Sequence, residues 1–146
     1  MGCPSPDQVA AWRTFLEAHA RVTAELAAEL EAEAGLPLTW YDVLVQLSEA
    51  PDHRLRITDL ANRVLLSKAG LSRLVDRMAE TGMVARQPCP EDRRGTFVQM
   101  TEAGQRALER AAPIHLRGVA EHFTGRMGAE ELKLVAEALA KVGRSA

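Results

Sequence analysis

Apolar positions recur at three- and four-residue spacing from Asp7 to Ala34, through Trp12, Phe15, Leu16, Val22, Leu26, Ala27 and Leu30 with His19 among them. That spacing predicts one long helix, ended by Gly35-Leu36-Pro37. A second helix is expected from Thr39, read as its cap, with Val43, Leu44 and Leu47 on one face. Thr58 is read as the cap of a third, in which Leu60, Ala61 and Val64 share a face that Leu65-Leu66 closes. Ser67 then starts a helix running to about Thr81, with Gly82 as its left-handed stop. Leu71, Leu74, Val75 and Met78 form its buried stripe, and Lys68, Ala69, Ser72, Arg73, Asp76 and Arg77 face the other way. Strand-like runs at 84–87 and 96–100 flank a turn-rich tip at 88–95. A helix from Glu102 to about Phe123, interrupted by Pro113 and expected to kink there, precedes a last one from Ala129 to Val142 carrying Leu132, Val135, Ala136 and Leu139.

Helix, tight turn, helix and basic ribbon in that order predict a winged helix-turn-helix. The fold class is mainly α with a small β-hairpin wing, the winged unit spanning 39–101 and helical flanks 7–35 and 102–146. Small and basic residues at the head of a helix suit close approach to base edges and phosphates. Ser67, Lys68, Ala69, Ser72, Arg73 and Arg77 are therefore candidate DNA contacts, joined by Asp92, Arg93 and Arg94 at the hairpin tip. Exposed basic helix faces are ordinarily just solvated. The ribbon that follows shifts the balance, because a narrow minor groove concentrates negative potential and attracts guanidinium groups.

Charge is divided along the chain, although the net value is only −2. Residues 1–50 hold two basic and eight acidic side chains, or −6; residues 51–98 hold nine and six, or +3; the remainder hold seven and six, or +1. Phosphate attraction depends on the local field, screened beyond about 8–10 Å in ordinary salt, so an acidic flank pointing elsewhere costs little.

The apolar stripes of the first and last helices have no evident partner within so short a chain. Either a second copy buries them, with Phe15, Val22, Leu26, Leu132, Val135 and Leu139 expected at a homodimer interface, or the terminal helices of a monomer fold back on its core. Two linked recognition helices about 34–36 Å apart would read a near-palindromic site in double-stranded DNA.

Leu74-Val75-Asp76-Arg77-Met78, Gly82-Met83-Val84, Asp92-Arg93-Arg94-Gly95 and Met100-Thr101-Glu102-Ala103-Gly104, in that order and spacing, resemble the MarR family of bacterial transcription regulators. The resemblance extends over nearly the whole chain through its long flanking helices. It implies that the helix from Lys68 enters the major groove, that Arg94 reaches the minor groove, and that Asp92 orients it together with Arg77. Where the family often has Ser or Thr, this chain has Ala69 and Gly70, so hydroxyl contacts do not carry over to those positions. The resemblance also implies a dimeric repressor released by a small aromatic ligand, held where dimer helices meet the winged unit. Trp12, His19, Trp40 and Tyr41 are the candidates to line that cleft.

Length and composition fit one domain of 146 residues with 47% hydrophobic content. There is no unbroken apolar run of about 18 residues, and the start MGCPSPDQ lacks the blocks of a signal peptide. A cytoplasmic protein without membrane contact is expected. Cys3 and Cys89 fit no metal spacing, and His19, His53, His115 and His122 are scattered, so neither metal nor cofactor is expected. No Gly-rich phosphate loop, spaced carboxylate pair or nucleophile with its base points to an enzyme. Two alternatives remain: a winged-helix module that binds protein, and a redox sensor using Cys89, which has Arg86, Arg93 and Arg94 near it in sequence, or Cys3.

Overall fold

The computed structural model describes residues 1–64 and 66–143, with the backbone alone for 92–94. In chain order it contains α1 (Pro6–Ala34), α2 (Leu38–Glu49), β1 (Arg54–Arg56), α3 (Ile57–Arg63), α4 (Lys68–Glu80), β2 (Val84–Cys89), β3 (Asp92–Met100), α5 (Glu102–His122) and α6 (Ala129–Gly143). The chain is mainly helical with one small antiparallel sheet, as its periodicity predicts. That sheet has three strands rather than two, in the order β1-β3-β2. Arg54-Leu55-Arg56 is too short to show alternation on its own, and becomes a strand through pairing with Gln99, Val98 and Phe97.

Several helix boundaries differ from expectation for local reasons. Ser5 and Gln8 form a reciprocal cap at the head of α1, the Ser5 amide donating to Gln8 Oε1 at 2.8 Å and the Gln8 amide to Ser5 Oγ at 3.3 Å. Pro6 occupies the first helical position, where a missing N–H does no harm. α2 begins at Leu38 and not after Thr39, because the Pro37 carbonyl accepts from the amides of Trp40 and Tyr41. Likewise α3 starts at Ile57 with Arg56 in the cap position, so Thr58 lies inside the helix and caps nothing. β1 runs directly into it. Gly35 and Gly82 sit at φ 61° and 82°, the left-handed region that stops α1 and α4. α5 continues through Pro113.

The described chain forms two compact units. One is Leu30–Ile114. Its core joins Leu30, Leu44, Leu47, Leu60, Leu71, Met78, Val98 and Ala111, so α2, α3, α4 and β3 share a single apolar interior with one end each of α1 and α5. The other unit comprises Met1–Glu29 and His115–Ala146. Among its described residues Leu26 is buried. A Cβ at Gly118 would stand 2.7 Å from its Cδ2, which places Leu26 against α5. Leu26 is thus covered within the chain, a correction to its expected place on an unpartnered stripe. Trp12, Phe15, Leu16, Leu116, Phe123, Leu134, Leu139 and Val142 of this unit are exposed, Leu134 at 63% and Val142 at 80%. Val22, Leu132 and Val135 are half-buried.

Candidate nucleic-acid interface

The head of α4 is set by Ser67, whose Oγ accepts from the Gly70 amide at 3.0 Å, as expected of a cap. Leu71, Leu74, Val75 and Met78 are buried and fix how the helix is turned. Rotation by one residue, about 100°, would drive Arg73 toward the core and Leu74 into water. The opposite face therefore presents Lys68, Ala69, Arg73, Asp76 and Arg77 to solvent, with Ser67 exposed ahead of them and Ser72 half-buried.

One residue holds this helix against the sheet, and sequence spacing does not reveal it. Arg86 on β2 donates through Nε to Asp76 Oδ1 at 3.0 Å. Its Nη2 donates to the Ser72 carbonyl at 3.0 Å and to Ser72 Oγ at 2.9 Å. Charge-assisted bonds of this kind are short and directional. The Asp76 side chain is 61% exposed, so the pair contributes at most about 1 kcal/mol to stability. Its role is geometric. Three bonds from one guanidinium fix the angle between α4 and β2, and Ser72, expected as a DNA contact, accepts one of them at its Oγ and one at its carbonyl.

β1 and β3 add more positive charge beside the wing. Arg54 and Arg56 lie over the ring of Phe97, with their guanidinium carbons 4.6 and 5.6 Å from its centre. Arg56 also faces Glu91 at 3.7 Å. Gln99 Nε2 donates to the carbonyls of Asp52 and His53 at 2.8 and 3.3 Å. Both of those residues have positive φ, and the amide ties down the turn that carries them.

β2 extends to Cys89 and β3 begins at Asp92, with a register irregularity at Pro88/Cys89, so the tip is shorter than the expected 88–95 loop. The side chains of Asp92, Arg93 and Arg94 lie outside the described residues, and so does any pairing of Asp92 with Arg77. Cys89 is 4% exposed, a correction to the accessible thiol that redox sensing there requires. Cys3 is exposed.

The four candidate ligand-binding residues fall in different units. Trp12 and His19 are exposed on α1 and flank Phe15, with ring centres 6.0 and 6.3 Å from it. Trp40 is half-buried on α2, but Tyr41 is part of the core of its unit and offers no open surface, a correction to its expected role. Burial first, and then the Asp42 carboxylate, hold the Tyr41 hydroxyl above the usual 10.0. No described helix is long and apolar enough to cross a membrane.

Residues 34–95 match the family model described as MarR family. The repressor YetL of Bacillus subtilis (strain 168), named an HTH-type transcriptional repressor, is 37% identical over 84 residues, which cover 58% of this chain and half of YetL. Two solved structures from Streptomyces coelicolor are similar over almost the whole chain. Sco3205, a MarR family transcriptional regulator crystallised in complex with DNA, superposes with a TM-score of 0.90 at 33% identity, covering 97% of this chain and 89% of that one. AbsC, a MarR family transcriptional regulator, gives 0.89 at 34% identity, covering 97% and 95%.

Proposed function

The chain belongs to the MarR family of transcription regulators, and from that premise we propose that it is a homodimeric, sequence-specific DNA-binding repressor released by a small aromatic ligand. One observation carries the DNA-binding part: the basic face of α4 is open to solvent and locked to the wing by Arg86. Lys68 and Arg77 reach phosphates, Arg73 reads a base edge in the major groove, and Arg93 and Arg94 bind at the minor groove. Arg54 and Arg56 extend the positive field along the sheet.

The exposed apolar side chains of α1, α5 and α6 support the dimer. No described residue of α6 is buried, and Leu134, Leu139 and Val142 on it are exposed, as large apolar side chains are where a partner covers them. Phe15, Val22, Leu132, Val135 and Leu139 contribute to the dimer interface, beside Trp12, Leu134 and Val142. The ligand reading rests on exposed Trp12 and His19 and on half-buried Trp40. Gel-shift titration with the DNA flanking the protein's own gene tests the central statement. Tight binding that survives excess nonspecific DNA, and is relieved by an aromatic carboxylate, is expected. Equal affinity for unrelated DNA would refute sequence-specific reading.

A further inference from the structure

Three ligating side chains far apart in sequence meet within the unit formed by Met1–Glu29 and His115–Ala146. Glu25 and Glu29 stand one turn apart on α1, and His122 comes from the end of α5. One donor atom from each lies within 4.8 Å of the other two. His122 Nε2 and Glu29 Oε1 already touch at 2.5 Å, and those side chains are 14% and 29% exposed. Donors bound to one ion at about 2.0–2.2 Å stand roughly 3–4.2 Å from one another. Small rotamer changes would therefore close this triad.

We propose that Glu25, Glu29 and His122 bind a divalent first-row transition-metal ion, an inference independent of the DNA-binding reading. A lone hydrogen bond between Glu29 and His122 does not require the features around it. Gly118, one turn before His122, is where a Cβ would come within 2.6 Å of Glu29 Oε2, so α5 leaves room for that carboxylate. A cavity of about 190 Å³, bounded by Ala18, Arg21, Val22, Glu25, His122 and Arg126, opens beside the donors and gives an ion its entry and its water ligands. Neither Glu29 nor His122 is solvated enough to be a mere surface group.

Donor chemistry selects the metal class. One imidazole with two carboxylates suits zinc, cobalt, nickel or ferrous iron, whereas magnesium demands six oxygens and keeps its waters. His122 ligates through Nε2 once its proton rests on Nδ1, with Glu29 exchanging its hydrogen bond for a metal bond. Arg126 is tied back through Nε to the Glu121 carbonyl at 3.1 Å. Arg21 and Arg126 line the cavity, so the open coordination positions favour water or an anion.

Untagged chain, stripped with a chelator and dialysed against Co(II) or Zn(II) in excess Mg(II), provides the test. About one ion per chain by elemental analysis is expected, with visible Co(II) bands. Glu25→Gln, at an exposed position that folding does not need, should weaken binding at least about tenfold, as should His122→Ala. Cys3→Ser, which removes the exposed thiol, should change nothing. No ion on the parent chain, or parental affinity in Glu25→Gln, overturns the proposal even if His122→Ala fails to fold.

Discussion

Gly104→Ala tests whether the junction between the wing and α5 is as tight as it is drawn. The Thr101 amide donates to the Met83 carbonyl at 3.1 Å. Thr101 Oγ1 donates to the Gly82 carbonyl at 2.5 Å and accepts from the Gly104 amide at 3.1 Å. The first turn of α5 is therefore bonded to the loop that leaves α4. A Cβ on residue 104 would collide with the Met83 carbonyl oxygen and stand 3.0 Å from Met100 Cγ. In an unobstructed helix alanine outranks glycine by about 1 kcal/mol. Here the obstacle is backbone held by its own hydrogen bond, and overpacking typically costs about 1–3 kcal/mol or more. The net expectation is a loss of about 1–2 kcal/mol, and at about 2–4 °C per kcal/mol the midpoint falls by roughly 2–8 °C. Urea and thermal unfolding followed by circular dichroism would measure it. Gly143→Ala, at the end of α6 with open space around its Cβ, is the control and should be as stable as the parent or up to about 1 kcal/mol more stable. A Gly104→Ala chain as stable as the parent would refute the junction.

Arg94→Ala should weaken operator binding by about 1–3 kcal/mol without loss of folding; an unchanged binding curve would take the wing off the DNA. Arg73→Ala should relax preference at one symmetric pair of positions, while Lys68→Ala should lower affinity for every sequence and reduce the salt slope by about one; site selection on both variants distinguishes them. Arg86→Met should cost at most about 1 kcal/mol of stability yet impair operator binding disproportionately, and equal losses in both would remove its positioning role. Leu139→Asp should give a particle near 15.9 kDa by light scattering where the parent scatters at about twice that mass; a monomeric parent ends the dimer reading. Because Tyr41 holds its proton more tightly folded than unfolded, its contribution is intact below the ordinary value of 10.0 and lost as pH rises beyond it. Alkaline unfolding of Tyr41→Phe should accordingly show less pH dependence there than that of the parent.

The helices and the solvent-exposed basic face of α4 were legible because one pattern specifies both. The spacing that buries Leu71, Leu74, Val75 and Met78 leaves Lys68, Arg73 and Arg77 outside. What escaped depends on partners distant along the chain. β1 exists through its pairing with β3, and the Arg86 bonds span ten and fourteen residues with no motif to announce them. Cap positions shifted by two residues where a proline carbonyl, or a strand running into a helix, set the first turn. Cys89 looked accessible from its basic neighbours, yet its register opposite Asp92 coincides with burial. Glu29 and His122 lie ninety-three residues apart, beyond any spacing rule for metal ligands.

The bonds from Arg86 to Ser72 and Asp76 also limit how such a protein can acquire a new operator. Two of the outward positions on α4 are committed to holding the wing at its angle, so a substitution there that improved a base contact would loosen the reading head that delivers it. Change without that conflict is left to Lys68, Ala69, Arg73 and Arg77, which have no such duty among the described contacts. The vocabulary of sites open to single substitutions is correspondingly small.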